Sequence, residues 1–406
     1  MLGLLPGGRH GEGVAEGTDA RPKNNPAETS RRRSREIGSV SAATPSSTGV
    51  NALTAGCSVN WPVSSAPTIV AATKTSLVRE CAYGVPMSVA EGKPASRTPL
   101  DAILLKVLEA VPFQLTTDGG VEASRQRFRD LPRRQVHPDI RTQNRTIDGP
   151  AGPIPIRVYW PPNDTRATPP VVVFLHGGGW SVGDLDTYDG DARNHAVGAA
   201  AVVVAVQYRL APEHPFPAAV EDAWAATQWV ASHAGELGAD PDRLAVAGDS
   251  AGGNLAAVVA QLARDADGPP IRFQLLWYPA TTWDTSLPSF TENAGAPLLG
   301  DSAVKGFSRW YVGDLDLSDM PATLAPARAE DLAGLPKAYI AVAGYDPLRD
   351  DGARYAELLA AAGVPAELHN AETLIHGYLG YAGVVPAATD AMDRGLSALR
   401  KGLHAT

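Results

Sequence analysis

A serine hydroxyl becomes an effective nucleophile when a histidine takes its proton and an acid holds that histidine in place. The chain offers these groups in that setting. Gly248-Asp249-Ser250-Ala251-Gly252 has the form G-x-S-x-G. The chemistry behind that pattern needs a serine on a tight strand-to-helix turn, with neighbours small enough for two chain segments to pack closely. The pattern alone is weak, because a glycine-rich helix start that merely closes a turn also produces it. The context is stronger: the motif follows the apolar run Leu244 to Ala247 and opens a helical pattern from Ala251 to Arg264. The helix N-terminus just beyond the serine would supply N–H groups and positive potential to a developing oxyanion.

His176-Gly177-Gly178-Gly179-Trp180 follows the apolar run Val171 to Leu175. Consecutive glycines let a backbone approach a substrate and turn its N–H donors toward it, as in the HGGG-type loops of lipases and esterases. A phosphate cradle is the rival use of such a loop. It lacks support, because no Gly-Lys-Ser/Thr follows and no G-x-G-x-x-G opens a helix here. The acid and base should follow the serine in chain order, on loops at the ends of later strands. Asp346 directly follows the apolar run ending at Tyr345, and His376 follows Glu367 to Asn370 and precedes Gly377. Asp350 and Asp351 read instead as carboxylates capping the next helix. His369 reads as a packed strand residue, His195, His214 and His233 adjoin the wrong elements, and His176 suits a structural hydrogen bond.

These groups need an α/β scaffold. Strands are expected at Ile154–Tyr159, Val171–Leu175, Ala201–Tyr208, Leu244–Ala247, Gln274–Tyr278, Lys337–Ala343 and Pro365–Asn370. Helices are expected at Ala218–His233, Ala251–Arg264, Gly352–Ala362 and Ala387–Leu403. Repeated β-α units imply a mostly parallel central sheet flanked by helices. Residues 283–335 break the alternation and bring Phe307, Trp310 and Tyr311 close in sequence, which suggests an insertion closing an apolar pocket. Near 98–132 the pattern is helical. Thr98 is the expected cap, Pro99 and Asp101 suit the first turn, and Leu100, Ile103, Leu104, Val107, Leu108 and Val111 fall on one face.

Residues 1–97 read as a disordered extension: small and polar residues dominate up to about 86, with a basic run at Arg31–Arg33, and Met87 is a candidate start. The domain is expected over 98–406. The chain of 406 residues carries a formal charge of −9, the reverse of a nucleic-acid footprint. Its apolar runs are far shorter than the roughly 20 residues of a membrane span. Cys57 and Cys81 are the two cysteines and suggest neither a disulfide framework nor a metal site. The first residues are too short for a secretory signal core, so a cytoplasmic location is expected.

Taken together, His176–Trp180, the run Tyr208-Arg209-Leu210-Ala211-Pro212-Glu213-His214-Pro215-Phe216-Pro217, Gly248–Gly253, Asp346-Pro347-Leu348 and His376-Gly377 resemble the bacterial branch of the hormone-sensitive-lipase family of α/β hydrolases. More closely, the chain is similar to actinobacterial carboxylesterases of that family. The resemblance spans roughly residues 98–404. It implies a catalytic triad of Ser250, Asp346 and His376, with backbone N–H groups of Gly178, Gly179 and Ala251 as the oxyanion hole. It implies a cap built from about 98–132 and 283–335. Trp180 stands where the family often has phenylalanine, and Glu213 would anchor a loop. The implied activity is ester hydrolysis with no metal or cofactor, and the closed pocket suggested by Phe307, Trp310 and Tyr311 points to short- to medium-chain esters. The implied partner is a small ester, with no nucleic acid and no membrane span, and a homodimer is left open. An amidase or lipase of the same fold, or a non-catalytic ligand-binding protein, is the alternative.

Overall fold

The computed structural model describes residues 97–162 and 168–405. Apart from Arg97, the expected disordered extension, its basic run, the candidate start at Met87 and both cysteines lie outside the described residues.

In chain order the elements are α1 (Ala102–Ala110), α2 (Gly120–Arg129), β1 (Thr142–Gly149), β2 (Gly152–Tyr159), β3 (Pro170–Leu175), α3 (Asp189–Ala199), β4 (Val202–Val206) and α4 (Ala218–His233). They continue with β5 (Asp240–Asp249), α5 (Ala251–Asp265), β6 (Ile271–Trp277), α6 (Pro288–Glu292), α7 (Asp301–Val312), β7 (Lys337–Tyr345), α8 (Arg349–Ala361), β8 (Ala366–Ile375) and α9 (Pro386–His404). The eight strands form one sheet in the order β1-β2-β4-β3-β5-β6-β7-β8. β1 and β2 run antiparallel to their neighbours, and all pairs from β4 to β8 are parallel.

The β-branched runs of β3 and β4 are wholly buried, as expected of strands covered on both faces. Side chains alternate between two apolar layers. Val171, Val173 and Leu175 join Leu255 of α5 and Tyr355 of α8 on one face. Val172 and Phe174 join Ala192 of α3 and Leu396 of α9 on the other. This sandwich fixes the carboxyl ends of the strands, where an open parallel sheet carries its chemistry.

Two elements were not legible in advance. β1 is polar and mostly exposed, so it shows no hydrophobic alternation; its place comes from a hairpin whose register runs from Thr142↔Tyr159 to Gly149↔Gly152. α3 has no strong apolar stripe and packs through small residues, Ala192, Ala196 and Ala199. Helix α1 begins later than expected. Asp101, not Thr98, is its cap, and its carboxylate accepts the N–H groups of Ile103 and Leu104, each at 2.9 Å. Asp101 itself is held extended, its N–H donating to the Thr373 carbonyl at 2.9 Å. The expected apolar face is also only partly inward: Leu104 is buried, while Ile103 and Val111 are 45% and 44% exposed.

The segments 98–132 and 283–335 meet. Leu115 N–H donates to the Leu298 carbonyl at 2.8 Å. Leu115 and Phe128 pack against Phe290, Leu299 and Phe307. Helix α2 is tied to the loop after β4 by Arg125, whose guanidinium holds both Glu213 oxygens at 2.8 and 2.6 Å.

α8 starts at Arg349, earlier than expected, and its two acids divide their work. Asp350 accepts the Ser289 N–H at 2.9 Å. Asp351 is no cap. It turns inward, is 1% exposed, and accepts the N–H groups of Thr281 and Thr282 at 2.5 Å each and the Thr281 hydroxyl at 2.8 Å. This bond fixes the point where residues 283–335 leave the sheet. Asp351→Ala leaves two buried amides unpaired and should lower the unfolding free energy by about 3 kcal/mol. Chemical denaturation of the variant beside the parent checks it.

Candidate active site

Ser250 sits between β5 and α5 with φ 54° and ψ −117°. Non-glycine residues rarely adopt positive φ, and such strain persists only where the surroundings impose it. Here the surroundings are the close packing of α5 on the end of β3. A Cβ on Gly252 would overlap the carbonyl oxygen of Leu175 and lie 2.5 Å from that of His176. Only glycine permits the approach.

The end of β7 and the loop after β8 bring up the partners. His376 Nε2 lies 2.9 Å from Ser250 Oγ. Its Nδ1 lies 2.7 Å from Asp346 Oδ2. With its proton on Nδ1 and donated to Asp346, the imidazole presents Nε2 as the acceptor of the serine hydroxyl. Asp346 and His376 are both buried. The second carboxylate oxygen of Asp346 accepts the Leu348 N–H at 2.8 Å, and its backbone carbonyl accepts from the Asn293 side chain at 2.9 Å. The acid is therefore held at both ends. The Tyr278 ring packs on the imidazole, with centroids 4.7 Å apart.

The glycine loop lies beside this row. Gly178 and Gly179 have φ of 99° and 57°. Among the described residues, no protein acceptor takes the N–H groups of Gly178, Gly179 or Ala251. Ala251 is the first residue of α5, where a helix has unpaired N–H groups and positive potential. The Phe307 ring covers Gly179 so closely that a Cβ there would lie 2.6 Å from it. His176 stacks on Tyr208 with centroids 4.3 Å apart. Burial pushes the His176 imidazole down to about 4, so it is neutral at ordinary pH. Its Nδ1 lies 2.8 Å from the Gly177 carbonyl, a structural contact.

Residues 172–380 match a family of the α/β-hydrolase fold. The chain belongs to that family. It falls in the hormone-sensitive-lipase-like branch, among actinobacterial relatives. Esterase LipI of Mycobacterium tuberculosis is 66% identical over 318 residues, which cover 78% of this chain and 98% of that one. The crystal structure of DphMB1 is 71% identical, with a TM-score of 0.73, covering 76% of this chain and 100% of that one. The hyperthermophilic esterase of Pyrobaculum calidifontis is 38% identical, with a TM-score of 0.67, covering 75% of this chain and 99% of that one.

The other candidate groups of this α/β hydrolase have duties elsewhere. His195 accepts from the Trp277 indole at 3.0 Å beneath the sheet. His369 lies on β8 beside Tyr339, and His233 stacks on Trp229. The aromatic trio of α7 does not act as one wall. Phe307 faces the glycine loop, Trp310 meets Phe307 edge-on, and Tyr311 stacks on Trp180 at 4.2 Å. Trp180 is thereby buried against Tyr311 and Trp283. Among the described residues, no three His, Cys, Asp or Glu side chains form a group that could hold a metal ion. Nor, among them, is any helix long and apolar enough to cross a membrane.

Three residues around the hydrolase site were missed from sequence: Tyr278, Asn293 and Asp249. Tyr278 and Asn293 carry no local signal, because their partners are 98 and 53 positions away or come from loops. Asp249 did carry one, as a charged residue placed at the end of a buried strand. Gly179→Ala forces a methyl group against Phe307 and displaces the donor loop. It should lower kcat by about 100-fold or more while circular dichroism still reports the folded sheet.

Proposed function

We propose that this hydrolase is a serine carboxylesterase acting on short- to medium-chain esters through an acyl-enzyme. The observation that carries the reading is the unbroken row from Asp346 through His376 to Ser250, with contacts of 2.7 and 2.9 Å. Relatives named as esterases, at 57–66% identity, support it.

In this mechanism Ser250 Oγ attacks the ester carbonyl carbon as its proton passes to His376 Nε2. The carbonyl oxygen takes up negative charge beside the N–H groups of Gly178, Gly179 and Ala251. Fixed donors of this kind stabilise the transition state without reorganising, and each is typically worth about 100- to 1,000-fold in rate. The tetrahedral intermediate collapses, and the alcohol leaves with the proton from His376. Water then attacks the acyl-serine with His376 again as base, releasing the acid. The Asp346 carboxylate keeps the imidazole in the tautomer that accepts from serine.

The packed segments 98–132 and 283–335 form a cap in this reading. Phe290, Leu299 and Phe307 of the cap pack with Val182, which follows the glycine loop, and make this side of the cap apolar, which favours acyl chains that fit a closed pocket. The proposal includes a small-molecule ester as partner and a cytoplasmic location. It also includes a homodimer, for which β8, the last strand of the sheet among the described residues and with Leu368 43% exposed, is the candidate edge.

Ser250→Ala should abolish hydrolysis of p-nitrophenyl esters while keeping the fold. Asp346→Asn should lower kcat about 10,000-fold by favouring the wrong tautomer. Across a series of p-nitrophenyl esters, rates should peak at short to medium acyl length. Full turnover in the serine variant would overturn the assignment. A rate still rising at long-chain triglycerides would overturn the closed pocket. A matched panel of amides separates amidase activity.

A further inference from the structure

The motif G-x-S-x-G leaves its second position open, and here that position is an acid buried at 5% exposure. A charged group is costly in such a place unless it does something specific. Its surroundings show what. β3 and β5 pair in parallel up to Leu175↔Gly248. Beyond that pair the two strands give way to the glycine loop on one side and the serine turn on the other. Where the backbone ladder ends, the Asp249 side chain continues the attachment: its Oδ1 accepts the Gly177 N–H at 2.8 Å. Its other oxygen accepts the Tyr188 hydroxyl at 3.4 Å. The carboxyl occupies the space a side chain at residue 177 would need, its Cγ only 2.9 Å from where a Cβ would sit.

We propose that Asp249 is a positioning residue that sets the distance between the nucleophile and the oxyanion donors. Asp249 is covalently adjacent to Ser250, and Gly177 is adjacent to Gly178. One hydrogen bond therefore spans the two parts of the site whose relative placement must hold within about 0.5 Å for catalysis. The inference rests on the serine-esterase reading above and adds a residue that touches neither substrate nor the imidazole.

The groups facing this carboxyl are Asp191 and Tyr188 near α3, Tyr208 after β4 and Tyr278 after β6. Burial, reinforced by the nearby Asp191, holds the Asp249 carboxyl well above the usual carboxylate range. The acceptor that the Gly177 N–H needs is a single carbonyl-type oxygen, which an asparagine amide reproduces.

The test compares the full chain with Asp249→Ala, Asp249→Leu and Asp249→Asn. Leucine is close to aspartate in shape and keeps the site filled if alanine prevents folding. The readouts are kcat and KM for p-nitrophenyl butyrate, and inhibition by a trifluoromethyl ketone, whose adduct carries the oxyanion. Loss of the acceptor should lower kcat about 100-fold and weaken the ketone in parallel, with KM within about threefold. Asparagine should recover kcat to within about tenfold of the parent. A folded alanine or leucine variant with parental kcat, a change confined to KM, or asparagine falling as far as leucine would each overturn the proposal. Diethyl p-nitrophenyl phosphate keeps the two readings apart. An unmodified Ser250 in the parent protein sinks the esterase reading itself, whereas modification with unaffected Asp249 variants sinks this inference alone.

Discussion

The backbone turn at Ser250 is the constraint on which the rest of the site depends. A positive φ at a non-glycine residue costs roughly 1–3 kcal/mol, and the chain tolerates it because packing on every side removes the relaxed alternatives. Ser250 N–H donates to the Trp277 carbonyl at 2.8 Å, and its own carbonyl accepts the Asn254 N–H at 3.0 Å. Helix α5 sits against the carbonyls at the end of β3 with no side chain between them. The same contact that strains the serine also carries the first N–H of α5 to the place where the glycine loop presents its own. The proposed nucleophile and donors are thus products of one packing event, the docking of α5 on the sheet.

Burial then sharpens the polar contacts. Asp346 and His376 are almost without solvent contact, and each hydrogen-bonding atom of the pair has a defined partner. In a low-dielectric setting such bonds are stronger, and an unpaired polar group is more costly, so a complete row has little freedom to rearrange. Asn293 extends this row outward. It grips the Asp346 carbonyl at 2.9 Å while its side-chain oxygen accepts from Arg97 at 2.6 Å. Residues from the start of the described chain and from the 283–335 segment therefore meet behind the acid.

The glycine loop depends on neighbours of a different kind. Phe307 presses on Gly179, and Tyr311, one helical turn on, stacks on Trp180. α7 is thus both the roof over the donors and their brace. Apolar burial on α7 serves the placement of backbone amides, so that in the proposed mechanism a change in the roof is felt at the oxyanion site without altering any group that reacts.

Much was legible in the amino-acid sequence because it is local. The strand-turn-helix around Ser250, the glycine run after β3 and the acid and histidine after β7 and β8 all follow from hydrophobic period and from residues with special backbone freedom. The buried valine runs of β3 and β4 announced a parallel sheet covered on both faces. What stayed hidden depends on partners distant in the chain. Polar β1 is a strand only because β2 pairs with it, and alanine-rich α3 is inward only because the sheet and α9 lie against it. Asp351 reads as a cap until Thr281 and Thr282 arrive, and Tyr311 reads as a pocket wall until Trp180 stacks on it. The nature and order of the reacting groups were written in short segments. Their distances, and the groups that hold those distances, come from packing between segments that no local pattern encodes.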